Sequence, residues 1–146
     1  MSIRLGILGI GSMGRHHVRN ARATAGVDLV ALADPGGDRF GVAGNLPVLG
    51  GVEELIEADI DAAIIAAPTA HHEAAALALA EAGVHTLVEK PLATSVEAGR
   101  RIRDAFADAG LVGAVGYVER CNPALIDMRR RIAQGQLGEI EQIATR

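Results

Sequence analysis

Residues 9–14 read Gly9-Ile10-Gly11-Ser12-Met13-Gly14, directly after the apolar run Ile3 to Leu8 and at the start of a helical pattern from about Met13 to Ala25. Three glycines spaced in this way between a buried strand and a helix constrain the chain more than any other feature it has. The first permits a tight turn, the second leaves the backbone bare to whatever approaches it, and the third lets the helix pack close to the sheet. A strand that turns directly into a helix opens a β-α-β unit, in which the two strands run parallel.

The remaining pattern continues that alternation. Leu29 to Ala33, Ala62 to Ala66, Thr86 to Val88 and Val112 to Val115 read as short buried strands. Helices are predicted near Glu53 to Ala58, His72 to Ala82, Ser95 to Ala109 and Pro123 to Gln134. Gly26, Gly83, Gly110 and Gly135 each follow a helical segment, where a C-terminal cap favours glycine. Thr94 with Glu97 three residues on reads as a capping box, and Asn122 before Pro123 as an N-cap with proline at the first helical position. Pro35 to Gly51 is rich in glycine and has no helical face, so an abbreviated connection is expected there instead of a crossover helix.

At 146 residues the chain can bury one good core. Hydrophobic residues make up 49% of it and aromatic residues only 2%, so that core is built from Ala, Val, Ile and Leu, which suits thin helices on a parallel sheet. The expected class is α/β: a doubly wound parallel sheet with right-handed crossovers.

Composition also narrows the function. With a formal net charge of -4 and basic residues scattered, apart from Arg129-Arg130-Arg131 within a helical pattern, nothing points to a nucleic-acid face. The one cysteine, Cys121, has no partner for an internal disulfide and reads as a packing residue, and no Cys/His cluster has the spacing of a metal site. No apolar stretch approaches the roughly 20 residues of a membrane-spanning helix, and Met1 leads straight into a strand without a signal peptide, so a soluble, cytoplasmic protein is expected.

The candidate site residues all fall at the carboxyl ends of the expected strands, the edge where open α/β sheets bind ligands. Gly9, Gly11, Ser12, Met13 and Gly14 present backbone amides and a helix N-terminus suited to a pyrophosphate. Asp34 ends the second strand about 20 residues after Gly14, where a carboxylate accepts bonds from both adenosine ribose hydroxyls. It would repel a 2′-phosphate, which favours NAD over NADP, although Arg39 stands close enough in sequence to compensate in part.

Ala67, Pro68, Thr69 and His72 follow the third predicted strand; Thr69 either bonds the cofactor ribose or caps the next helix. His71 and His72 point to different helix faces and make a poor metal pair. Glu89-Lys90-Pro91 ends the following strand, where a lysine reaches into the same crevice. His16 and His17, on the first helix, read as surface residues.

Taken in order, the glycine turn, Asp34, Pro68 to His72, Glu89-Lys90-Pro91 and Arg120-Cys121-Asn122-Pro123 resemble the N-terminal part of the Gfo/Idh/MocA oxidoreductases. The resemblance implies hydride exchange between a nicotinamide cofactor and a sugar, cyclitol or nucleotide-sugar alcohol or ketone. It implies Lys90 as the catalytic residue at the reacting oxygen, Glu89 at the ribose, and Thr69, His72 and Asn122 at the nicotinamide end. The stretch from Val118 to Pro123 looks most like nucleotide-sugar dehydrogenases, with Cys121 and Tyr117 departing from their usual residues.

On the same resemblance, residues 1–121 form the dinucleotide-binding domain, and 122–146 a connecting helix and the first strand, from about Gly138, of a substrate domain whose remainder is absent. This implies a fragment of a longer, homo-oligomeric enzyme whose isolated cofactor half is inactive. The alternative is a noncatalytic NAD-binding or sensing module, which the gene's reading frame beyond Arg146 distinguishes.

Overall fold

The computed structural model describes residues 2–144. Strand β1 (Ile3–Leu8) runs into the glycine turn, and α1 (Gly14–Ala23) leaves it. Then come β2 (Val27–Ala33), a two-residue β3 (Val48–Leu49), α2 (Val52–Glu57), β4 (Ala62–Ile65), α3 (His72–Glu81), β5 (His85–Glu89), α4 (Val96–Asp108), β6 (Gly113–Gly116) and α5 (Pro123–Ala133). Short 3-10 turns occupy Thr69–His71 and Val118–Cys121. No helix of the described residues is long and apolar enough to cross a membrane.

The strands pair in parallel in the order β3-β2-β1-β4-β5-β6. After β3 the chain returns to the far side of β1, so connections leave β1 and β4 in opposite directions. That reversal opens a crevice outside their carboxyl ends, next to Leu8 and its register partner Ile65.

In the central strands β1 and β4 both faces are covered, which is why they read as continuous apolar runs; the edge strand β6, expected to be buried, instead has Gly113 and Ala114 exposed. Leu5, Ile7 and Leu32 pack with Val18 and Ala21 of α1 on one face. Leu8, Ala33, Ala63 and Ile65 pack with Leu55, Leu79, Ile102 and Phe106 of the other helices on the opposite face. Side chains alternate across a strand, so β1 serves both clusters in turn. Buried Ala75, Ala76 and Ala80 keep α3 thin enough to sit close in its layer. Truncating a fully buried residue such as Leu79 to Ala would cost about 2–5 kcal/mol.

Within residues 3–134 the predicted strands and helices are present with ends shifted by a residue or two. Gly26, Gly83, Gly110 and Gly135 all take positive φ after their helices. Asn122 caps α5 as expected, its Oδ1 accepting the Ala124 N–H at 3.0 Å with Pro123 in the first turn.

Three readings are corrected and one is extended. The cap of α4 is Ser95, whose Oγ accepts the Ala98 N–H at 3.1 Å, so Thr94 lies one residue outside the helix start. The connection from Pro35 to Gly51 has no helix, as expected, but it contains β3; Asp38 accepts the N–H groups of Val42 and Ala43 at 2.9 and 2.7 Å and shapes the turn before it. Residues 138–144 form no strand, because a strand exists only in a ladder and none of them pairs with another segment among the described residues; Thr145 and Arg146 lie outside these. Cys121 is exposed: it sits in a 3-10 turn with no buried residue, and the neighbouring α5 has none either.

The chain divides into two compact units, Met1–Gly116 with the sheet and Tyr117–Arg146 with α5.

Candidate dinucleotide-binding site

The glycine turn separates the roles of its three glycines. Gly9 has φ +85°, and a Cβ there would lie 2.6 Å from the Ala67 nitrogen, so the turn demands a residue without a side chain. A Cβ on Gly14 would sit 1.8 Å from the Gly9 carbonyl oxygen. Around Gly11 no atom lies within 4 Å of such a Cβ. The first and third glycines are required by the fold, whereas the second faces open space.

The amides of Ser12 and Met13 beside that space find no acceptor among the described residues. They lie at the N-terminus of α1, where unpaired N–H groups and the helix dipole favour an anion. The residues present therefore fit a pyrophosphate: a bare backbone, free donors, and room where a side chain would otherwise stand.

Asp34 follows β2 directly and is fixed by the same turn. Its Oδ2 accepts the Ile10 N–H at 2.9 Å and its Oδ1 the Gly36 N–H at 2.8 Å. Each oxygen retains a further lone pair for a hydroxyl. The Arg39 guanidinium and Asp34 Oδ1 both lie about 3.1 Å from where a Gly36 Cβ would be, so the arginine stands near the carboxylate, with no ion pair between them among the described residues.

Across the crevice, the loop after β4 holds Ala67, Pro68 and Thr69. The Thr69 hydroxyl caps nothing: neither the 3-10 turn nor α3 has a side-chain cap, which removes the capping alternative and leaves the hydroxyl half-buried at the edge. His72 is 1% exposed, with Nε2 2.8 Å from the Ala67 carbonyl and Nδ1 3.0 Å from that of Pro91. Its ring joins the loops after β4 and β5 and has no free nitrogen for a bound molecule. His71 is exposed, so the two histidines diverge as expected.

At the end of β5, Lys90 is exposed, forms no ion pair among the described residues, and precedes a cis peptide bond to Pro91. Glu89 is buried. Its Oε1 lies 2.8 Å from His17 Nε2, and its Oε2 accepts the Lys90 N–H at 3.1 Å. His17 is thus not the surface residue its sequence suggested: its side chain is 15% exposed and points inward. The signal was available, because residue 17 falls on the same helical stripe as the buried Gly14, Val18 and Ala21.

Gly116 was also missed; a Cβ there would lie 2.9–3.1 Å from the Glu89 carboxyl atoms, so its absence makes room for them. In the second unit, the Asn122 side chain is occupied locally, with Nδ2 donating to Glu119 Oε2 at 2.9 Å and Oδ1 capping α5.

A parallel sheet with this strand order, an anion-ready glycine turn and an anchored carboxylate at the end of β2 define a dinucleotide-binding domain of the Rossmann class. The chain belongs to the Gfo/Idh/MocA oxidoreductase family, whose NAD-binding Rossmann fold matches residues 3–117.

Among its relatives, the scyllo-inositol 2-dehydrogenase (NAD(+)) of Bacillus subtilis is 34% identical over 143 residues, covering 94% of this chain and 42% of that protein. Inositol 2-dehydrogenase 1 of Saccharopolyspora erythraea is 35% identical, with 95% and 44% covered. Among solved structures, the UDP-N-acetylglucosamine 3-dehydrogenase of Acidithiobacillus ferrooxidans superposes with a TM-score of 0.80 at 31% identity, covering 89% of this chain and 43% of that one. The chain spans less than half the length of these relatives.

Proposed function

We propose that this chain is the cofactor half of an NAD-dependent dehydrogenase that oxidises a ring alcohol of a cyclitol, sugar or nucleotide sugar, or reduces the corresponding ketone. The observation that carries the reading is the convergence of three features on one crevice. Gly11 lies beneath open space at the α1 N-terminus, Asp34 is anchored by the Ile10 amide, and the exposed Lys90 stands two strands away on the same edge. The cyclitol and nucleotide-sugar dehydrogenases among the relatives supply the substrate class.

In this reading Gly9, Gly11, Ser12, Met13 and Gly14 hold the pyrophosphate, and Asp34 takes the adenosine ribose hydroxyls. Asp34 also selects NAD, since a 2′-phosphate would place its charge against the carboxylate. Ala67, Pro68 and Thr69 line the nicotinamide side, with Thr69 offering its hydroxyl. His72 and Glu89 hold the loops in place from behind, while Asn122, in the second unit, is taken up in capping α5.

The bound nicotinamide supplies the hydride acceptor. Lys90 contacts the substrate oxygen, and its ammonium would stabilise the negative charge that develops there as the hydroxyl proton passes to solvent. The test is oxidation of inositols and of UDP-N-acetylglucosamine by the full-length protein. Lys90→Met should lower kcat by about 100-fold or more, while NAD affinity stays within about threefold. Full activity in the variant would remove Lys90 from the mechanism, and inertness of the wild type toward every ring alcohol would overturn the substrate class.

A further inference from the structure

His17 and Glu89 lie on different elements, α1 and the end of β5, yet meet at 2.8 Å with side chains 15% and 5% exposed. A carboxylate can only accept, so His17 Nε2 carries the hydrogen. The other oxygen of Glu89 accepts from the Lys90 amide, and Gly116 leaves the space in which the carboxyl group sits. Each oxygen accepts one hydrogen bond, as in Asp34, but with the Glu89 side chain only 5% exposed its remaining lone pairs are poorly placed for a ribose hydroxyl.

What the arrangement does is mechanical. His17 stands one helical turn from the amides that face the pyrophosphate, and Glu89 adjoins the lysine that faces the nicotinamide end. A side-chain path between the two halves of the crevice runs Lys90 N–H, Glu89 carboxylate, His17 ring and helix α1.

We infer that His17 is a positioning residue: through Glu89 it ties the phosphate-binding helix to Lys90 and sets the distance between the phosphate and nicotinamide halves of the site. A hydrogen bond from a half-buried ring to a buried carboxylate suits this task, because it is directional and costly to leave unmade. The inference rests on the dinucleotide reading above and deepens it.

The test compares two probes on the 146-residue chain. NADH spans the whole crevice, whereas ADP fills only the adenosine and phosphate positions. His17→Ala should weaken NADH binding about tenfold and ADP binding by less than about twofold, and His17→Gln, which retains a donor, should recover most of the NADH affinity.

Gly116→Ala brings a Cβ within 2.9–3.1 Å of the Glu89 carboxyl atoms while leaving the His17 side chain itself unaltered, and it should give the same selective loss even if His17→Ala folds poorly. Thermal melts of each variant confirm that folded protein is being titrated. Equal loss for both probes, or no loss for either, would overturn the inference while leaving the dinucleotide site intact. Failure of the wild type to bind either probe would overturn the dinucleotide reading, and the inference with it.

Discussion

The two halves of the crevice are built by different means. On the β1–β2 side the backbone makes the site: glycines shape the turn, the amides of Ser12 and Met13 stand free, and the one carboxylate, Asp34, is itself held by amides. On the β4–β5 side, side chains make it, and most of them bind each other: His72 reaches two loop carbonyls and Glu89 reaches His17, leaving Thr69 and Lys90 to face outward. A backbone site is rigid because the fold fixes it; a side-chain site depends on buried polar contacts that must each be satisfied.

The comparison is tested hardest within the glycine turn. Gly14→Ala places a Cβ 1.8 Å from the Gly9 carbonyl oxygen, so it should cost about 3 kcal/mol in denaturant unfolding and abolish NAD binding with it. Gly11→Ala meets no protein atom within 4 Å. It should leave stability within about 0.5 kcal/mol of wild type yet weaken NAD by roughly 30-fold or more, since the methyl group would occupy the approach to the pyrophosphate. If Gly11→Ala bound NAD normally, the open space would not be the phosphate site.

A smaller effect separates sequence from structure at α4. Ser95→Ala removes a cap bond of 3.1 Å and should cost about 1 kcal/mol, whereas Thr94→Ala should cost only a few tenths, both read as shifts in the melting curve.

That pair shows where legibility ended. The backbone half was readable because each glycine has a spacing-dependent job and because Asp34 must end β2. Alternating apolar runs and stop glycines gave the layers of the fold for the same reason: period and backbone conformation are local properties. The side-chain half was not readable, since His17 and Glu89 are 72 residues apart and only the β1-β4-β5 adjacency brings them together. His72 was placed at the right edge, but its two carbonyl partners come from loops whose positions no local pattern specifies. Position 94 or 95 as cap is a choice between adjacent hydroxyls that Glu97 alone does not decide. The strand expected near Gly138 shows the complementary limit: apolar residues can imply a strand, but only a partner makes one.

The smallest effect concerns the loop beyond Asp34. The amides of Ala43, and then of Val42, hold the Asp38 carboxyl below its ordinary value near 3.8. A carboxyl lowered in the folded state binds its proton more readily when unfolded, so its stabilisation is fully present above that ordinary value and is lost as pH falls through the lower folded one. Asp38→Asn should therefore lower Tm by a constant amount above about pH 5, and the gap to wild type should close as the medium is made more acidic. A gap that widened in acid would contradict the assignment.

The central claim is that a fixed backbone cradle with an anchored Asp34 binds NAD. Calorimetric titration of the chain with NAD and NADP in parallel, repeated on Asp34→Ala, tests it most directly. The account predicts that NAD binds at least about tenfold more tightly than NADP, and that Asp34→Ala weakens NAD and closes most of that gap. Binding of neither nucleotide, or equal binding of both that Asp34→Ala leaves unchanged, would contradict it.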